Sequence, residues 1–469
     1  MSDLDPRESG PSKRALILIF TLALLARGAL LVAGPARDAS LGVVTDSARY
    51  ITLATNLREY RTFGKAEEEG IVHCAIARLR EANGTLPPRD CNGLRPEGFR
   101  TPAYPAFIAT ITAVFNDLRS VMVVQCLLGA LAAIAAARVG TALGLSSRGA
   151  MVVGLVWAVH PGLVVFDVLI LTESLFNALT VFAMFFATRS SIGASLASGA
   201  LVGAAGLVRP LGLIYLPAVI LARPTTGRRI SAVALMAATA VLPSALWAVR
   251  NSAVGEGLRV CTTGDVNLLF YMAGYTISEE RGEDWLETWP ERVDELAAEL
   301  GRRVRPGEDV FQVGRGLATE ELRKRPVFAA RVLAKAGMKL AISHSAPDLA
   351  HVLGTPYEAS GFLTNLVFDG KAQRIRTNFA ALAGRTGWCL LNLLLALGAI
   401  VGSAVAMARR SWRLLIPCGV TVFLFIAATN AVGLERFRLP IMLPLLALGA
   451  SLVPDPAEEG RAVSDVRAQ

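Results

Sequence analysis

Long apolar runs recur along this chain, and a run that can cross a hydrocarbon layer as a helix leaves few folds open. The stretch from Ala15 to Ala33 spans that thickness at helical rise. Further candidate spans are Ser120 to Leu143, Ala150 to Leu169, Ser174 to Thr188, Ser195 to Val208, Leu211 to Ala222 and Ile230 to Val249. Trp388 to Ala408, Leu414 to Val432 and Leu439 to Leu452 complete the series. The expected fold is an all-α polytopic membrane bundle. Composition agrees, because 53% of the 469 residues are hydrophobic and 18% are charged, away from soluble averages.

The formal charge of +9, from 47 Lys and Arg against 38 Asp and Glu, could suggest a nucleic-acid partner. The basic residues instead cluster in short loops between apolar runs, which is the positive-inside pattern, so no nucleic acid is expected. Lys13 and Arg14 before the first run imitate a signal peptide, but the later spans favour a retained anchor. Counting crossings puts Arg148, Arg189, Arg223, Arg228, Arg229, Arg409, Arg410 and Arg413 on their side, the inside. The outer side receives Asp46, Arg100, Glu173, Arg209, Arg250, Asn251, Glu435 and Arg438. This parity requires that Ala103 to Phe115, too short to span, lie as an interfacial helix.

The chain then divides into a cytoplasmic tail (1–14), a transmembrane core (15–249), a large outer loop (250–387), C-terminal transmembrane helices (388–452) and a second cytoplasmic tail (453–469). The core carries a first outer loop, Gly34 to Pro102, and both tails read as polar and frayed. In the large outer loop, Arg331, Lys335 and Lys339 recur at four-residue spacing opposite Val332, Leu333, Met338 and Leu340. Such a stripe over Phe328 to Ile342 suits a helix in the headgroup plane, or the solvated face of a small subdomain. Six cysteines lack metal or redox spacing; Cys74, Cys91 and Cys261 fall outside, with Cys74 to Cys91 the favoured bridge. No Gly-rich phosphate loop appears, which argues against a nucleotide-driven reaction.

Asp46, just beyond the first span, is placed near the lipid phosphates. A carboxylate there can take the proton of an attacking hydroxyl, or simply cap the helix that follows. Arg49 lies on the same helical face, and Arg100 opens the interfacial segment. Guanidinium groups match phosphate oxygens bidentately, although either arginine could be an ordinary headgroup anchor. Glu173 begins a span on the outer side, where a carboxylate needs a partner or a role. Asp167 is a weaker candidate. Arg209, Arg250 and Arg438, from distant parts of the chain, could converge on the same anion. His73, His160, His344 and His351 show no ligand spacing.

Seven short motifs, in order, are Asp46-Ser-Ala-Arg49-Tyr50, Arg100-Thr-Pro-Ala-Tyr-Pro105, Leu171-Thr-Glu173-Ser, Leu207-Val-Arg209-Pro210, Trp247-Ala-Val-Arg250-Asn251, Asp265-Val-Asn267-Leu and Glu435-Arg-Phe-Arg438-Leu-Pro440. Together they resemble the membrane glycosyltransferases of the GT-C superfamily, closest to bacterial family 39 enzymes related to protein mannosyltransferases and the lipid A aminoarabinose transferase. The likeness covers Ala15 to Leu452. It implies a sugar donor on polyprenyl phosphate, transfer with inversion, and an active site outside the bacterial plasma membrane. Asp46 then matches the general base and Glu173 the acidic residue of the second outer loop. Arg49, Arg100, Arg209, Arg250 and Arg438 would face the donor phosphate, with Tyr50, Tyr104 and Asn251 lining the pocket. The acceptor could be a glycan, a lipid or a protein.

Ser47 and Phe99 stand where such sequences often carry further carboxylates, so no metal ligand is assigned and no cofactor is required, although a divalent metal is left open. A lipid-linked saccharide flippase would also need outer basic residues, and a non-catalytic envelope assembly subunit is a third reading. Transporters, however, commonly show repeat symmetry and midplane polar sites, which are not evident here.

Overall fold

The protein is described here by a computed structural model covering residues 10–68, 70–224, 229–355, 379–429 and 435–454. The polar N-terminal stretch to residue 9, Arg228, the end of the Leu414 to Val432 run and the tail from residue 455 lie outside the described residues. Among the described residues the backbone is mainly helical, and the one sheet is a two-stranded antiparallel pair of Gly64–Lys65 with Arg95–Pro96.

Helix α1 (Lys13–Ala33) starts at Ser12, whose side chain accepts the Ala15 N–H. Its buried positions, Leu16, Ile19, Ala23 and Arg27, form one stripe, while Ile17, Leu25 and Val32 stay exposed as a lipid-facing side requires. After α2 (Thr45–Tyr60), α3 (Ile71–Ala82) and α4 (Ala103–Phe115), the alanine-rich α5 (Arg119–Ala142) packs against α1. Small residues let backbones approach closely in a membrane, where no hydrophobic drive pulls helices together.

That approach admits a buried charge pair. Arg27 Nε donates to Asp167 Oδ2 at 2.6 Å, and its Nη1 donates to the Ala23 and Ala158 carbonyls. A Cβ on Gly129 would collide with both charged groups, so glycine is required beside the pair. Asp167 is thus a structural partner, its carboxylate paired with Arg27.

The run from Ala150 to Leu169, expected as one span, is two helices. Helix α6 (Ser147–Val159) and α7 (Pro161–Asp167) meet at 49°. Pro161 has no N–H to give and holds His160 at extended φ −59, ψ 121, which breaks the helix. Next come α8 (Thr172–Ala187), α9 (Ile192–Val208), α10 (Tyr215–Ala222) and α11 (Arg229–Ala253). The expected run from Leu211 to Ala222 is itself divided, because Pro210–Ile214 forms a 3-10 turn before α10. Among the described residues, four helices are long and apolar enough to cross, or five counting the bent pair, against ten expected spans. The remaining described runs are shorter apolar helices, among them Thr172–Ala187 and Ile192–Val208.

After α11 comes a helical subdomain of α12 (Thr263–Val266), a π-helical turn (Asn267–Ala273), α13 (Gly274–Arg281), α14 (Trp285–Arg303), α15 (Val310–Lys324), α16 (Pro326–Ile342) and α17 (Ala346–Val352). Its core joins Phe270, Val293, Leu296 and Leu317 to Val72 and Ile76 of α3, so this subdomain and the segment before α4 share one interior. In α16 the expected amphipathic stripe is split. Val332 and Leu340 are buried in protein, Leu333 and Met338 are exposed, and Lys335 pairs with Glu279 at 2.8 Å.

Chain return is through α18 (Phe379–Ala408), α19 (Trp412–Thr429), the single turn α20 (Glu435–Arg438) and α21 (Met442–Ala450). All six cysteines are free thiols, so the favoured Cys74 to Cys91 bridge is not formed. Cys74 Sγ faces the Glu68 carbonyl, and Cys91 is exposed.

Candidate active site

Between the apolar bundle and the helical subdomain lies a cavity of about 460 Å³. Asp46 stands on its wall in the first turn of α2, where the helix dipole favours a carboxylate. The neighbouring Ser47 is fully buried and accepts the Val44 N–H at 3.0 Å, closing the helix start.

Both oxygens of Asp46 are held. Oδ1 accepts from Arg100 Nη2 at 2.8 Å, and Oδ2 accepts from Arg436 Nη1 at 2.9 Å. Burial pushes the Asp46 carboxyl up, but the two guanidinium charges outweigh it and hold the group down at about 2. Arg100 Nη1 also donates to the Tyr50 hydroxyl at 3.0 Å, and its guanidinium lies over the Tyr50 ring. The Phe99-Arg100 turn is fixed from behind by Glu97, whose Oε1 accepts the N–H groups of Phe99 and Arg100 while Oε2 meets Lys65 at 3.0 Å.

Arg49 and Arg209 complete the basic lining. Arg209 reaches Glu173 at 3.2 Å, and Glu173 is itself buried behind the wall with Thr172. Among the described residues the cavity surface thus carries four arginines, Arg49, Arg100, Arg209 and Arg436, against one carboxylate, Asp46. Such a surplus of fixed cationic donors suits a phosphate.

Other expected site residues lie apart. Arg438 is buried and donates to the backbone carbonyls of Leu340, Ala341 and Ser343, tying α20 to the end of α16. Arg250 donates to the carbonyls of Glu97 and Phe63, and Asn251 to those of Arg259 and Val260. These side chains are spent on holding loops, not on the cavity. Tyr104 is fully buried, gives its hydroxyl to Gln125 at 2.7 Å and packs edge-on against Tyr50, supporting the wall from behind.

The sequence alone did not single out Arg436, Tyr271 or Trp289, all of which line the cavity. Asn267 and Tyr271 come from the π-helical turn, a distortion frequent at functional sites. His73 also lines it; burial and the charges of Lys65 and Arg49 push its imidazole down to about 3, leaving it neutral. His160 is buried against Asn392 instead.

Divalent cations need a set of oxygen ligands, and Asp46, the one carboxylate lining the cavity among the described residues, has both oxygens against guanidinium groups. Among the described residues, no group of three or more His, Cys, Asp or Glu stands together as metal ligands.

No family model matches the sequence, and no curated protein matches it. Two solved structures of an oligosaccharyltransferase from Archaeoglobus fulgidus are similar in fold. The apo form is 14% identical over 97% of this chain and 52% of that chain, with a TM-score of 0.49. The form tethered to an acceptor peptide containing an NVT sequon is 13% identical over 96% and 51%, with a TM-score of 0.50. This chain spans about half the length of those proteins. At that identity the likeness bears on fold alone, that of an all-α polytopic membrane bundle.

Proposed function

We propose that the protein is a membrane glycosyltransferase that moves a sugar from a polyprenyl-phosphate donor to an acceptor hydroxyl on the outer side of a bacterial plasma membrane. The observation that carries this reading is a single carboxylate held between two guanidiniums in a cavity with four arginines. The narrower kinship with family 39 enzymes rests on the motif order around Asp46, Arg100 and Glu435-Arg-Phe-Arg438.

Without donor, Arg100 and Arg436 share the Asp46 carboxylate, which leaves one positive charge over. A donor phosphate entering the cavity competes for those guanidiniums, and Asp46, still buried but freed of them, becomes a stronger base. The acceptor O–H passes its proton to the Asp46 carboxylate as its oxygen attacks the anomeric carbon. The bond from that carbon to the phosphate oxygen breaks, and its electron pair leaves on polyprenyl phosphate, where Arg100, Arg436, Arg209 and Arg49 stabilise the charge. One in-line displacement inverts the anomeric centre. Glu173 holds Arg209 in place, and Arg250 and Asn251 brace the loops.

The test is release of free polyprenyl phosphate by purified protein supplied with polyprenyl-phosphate sugars. Asp46→Asn should abolish it while the protein still inserts and folds. Full activity in that variant rules out Asp46 as the base, and no release from any such donor favours a flippase or an assembly subunit.

A further inference from the structure

Two of the cavity's wall residues, Tyr271 and Trp289, belong to a longer row of aromatic rings. Tyr271 and Tyr275 sit four residues apart on one helical segment, and Trp285 and Trp289 sit four apart on the first two turns of α14. The rings follow one another: Tyr271 to Trp289 at 4.5 Å, Trp289 to Trp285 at 4.7 Å, and Trp285 stacked on Tyr275 at 5.3 Å. All four are half-buried. Only the first two reach the cavity, so the row runs from the Asp46 chamber out along the subdomain. Gly274 is buried beneath Trp285, where a Cβ would stand 3.1 Å from two ring carbons, so the indole rests on bare backbone.

We propose that this row is a saccharide-binding track, and that the acceptor is therefore a neutral glycan or a molecule ending in one. Its role as an acceptor track rests on the transferase reading; its existence as a binding site does not. The C–H face of a pyranose is apolar and slightly positive, which matches the negative face of an aromatic ring. The hydroxyl rim of the same sugar needs hydrogen-bond partners, and exposed Glu287 and Glu291 stand on the same two turns, with Asn267 and Thr263 at the cavity end.

Other occupants fit less well. Asp284, Glu287 and Glu291 are exposed around the tryptophans and would repel an anionic lipid surface. A peptide bound through its main chain needs a free strand edge, and this wall is helical, with its backbone groups already paired.

The test uses the full-length protein in lipid nanodiscs, carrying Asp46→Asn so that nothing turns over. Neutral linear tetrasaccharides of glucose, mannose and galactose serve as probes, with binding read by saturation-transfer NMR and calorimetry. At least one should bind. Trp285→Leu, which keeps apolar bulk but removes the π face, should weaken it about tenfold, and Trp285→Phe should largely restore it. Thermal unfolding of each variant checks that the subdomain is intact. No binding by any tetrasaccharide, or binding unchanged in Trp285→Leu, overturns the proposal. Binding in this variant, together with no sugar transfer by the wild-type protein from any polyprenyl-phosphate donor, keeps the track and sinks the transferase reading. Transfer to a peptide or lipid with no saccharide binding does the reverse.

Discussion

Replacing Arg436 by Gln removes one of the two guanidiniums on Asp46 while keeping a side chain of comparable reach. Its Nη1 lies 2.9 Å from Asp46 Oδ2 with the side chain 31% exposed, so the contact is only partly screened by solvent. A charge-assisted hydrogen bond of this kind contributes about 1.5–3 kcal/mol. If Arg436 transfers that bond to the leaving phosphate, kcat/KM for a polyprenyl-phosphate sugar should fall roughly 10- to 150-fold in Arg436→Gln. Arg436→Lys keeps the charge without the planar fork and should recover part of the loss.

A second readout is the acid limb of the pH profile. Burial raises Asp46, and Arg100 with Arg436 brings it to about 2 from an ordinary 3.8, a net pull of roughly 2 kcal/mol. Losing one of the two cations leaves burial less opposed, so the carboxyl rises by about one unit or more and the acid limb of kcat/KM moves up with it. Release of polyprenyl phosphate from a labelled donor, followed from pH 3 upward, measures both effects. Arg438→Gln is the control two residues away: its bonds go to backbone carbonyls, so it should lower thermal stability more than donor KM. If Arg436→Gln stays within threefold of wild type while Arg438→Gln loses donor binding, the assignment of Arg436 to the phosphate is wrong.

Three more outcomes are expected. Because Asp46 is held below its unfolded value, its ion pairs add stability above about pH 4 that is lost as pH falls toward about 2. Thermal unfolding against pH should show that acid loss, and Asp46→Asn should remove it. Gly129→Ala should destabilise the bundle by about 3–5 kcal/mol in unfolding assays, since its Cβ would force Arg27 and Asp167 apart and leave charges buried unpaired. Glu97→Ala frees the N–H groups of Phe99 and Arg100 and one partner of Lys65, so donor KM should rise about tenfold, with Glu97→Gln recovering part of it.

What could be read from the chain, and what could not, follows from the range of each signal. Asp46 and Arg100 were legible because each stands at the border of an apolar run, where composition changes within a few residues. The helix count was not, because spans such as the one through His160 and Pro161 carry enough apolar residues to cross yet break at a single proline. Arg438 was chosen over Arg436 for a related reason: the motif marks both residues. On a helical turn, two positions apart means roughly 200° of rotation, so one faces the cavity when the other faces the bundle. Only the docking of α20 against α16 decides which, and that docking is made by Arg438 itself through the carbonyls of Leu340, Ala341 and Ser343. The residue that fixes the turn thereby aims its neighbour at Asp46, and the pair divides between them the anchoring and the chemistry that the sequence motif presents as one.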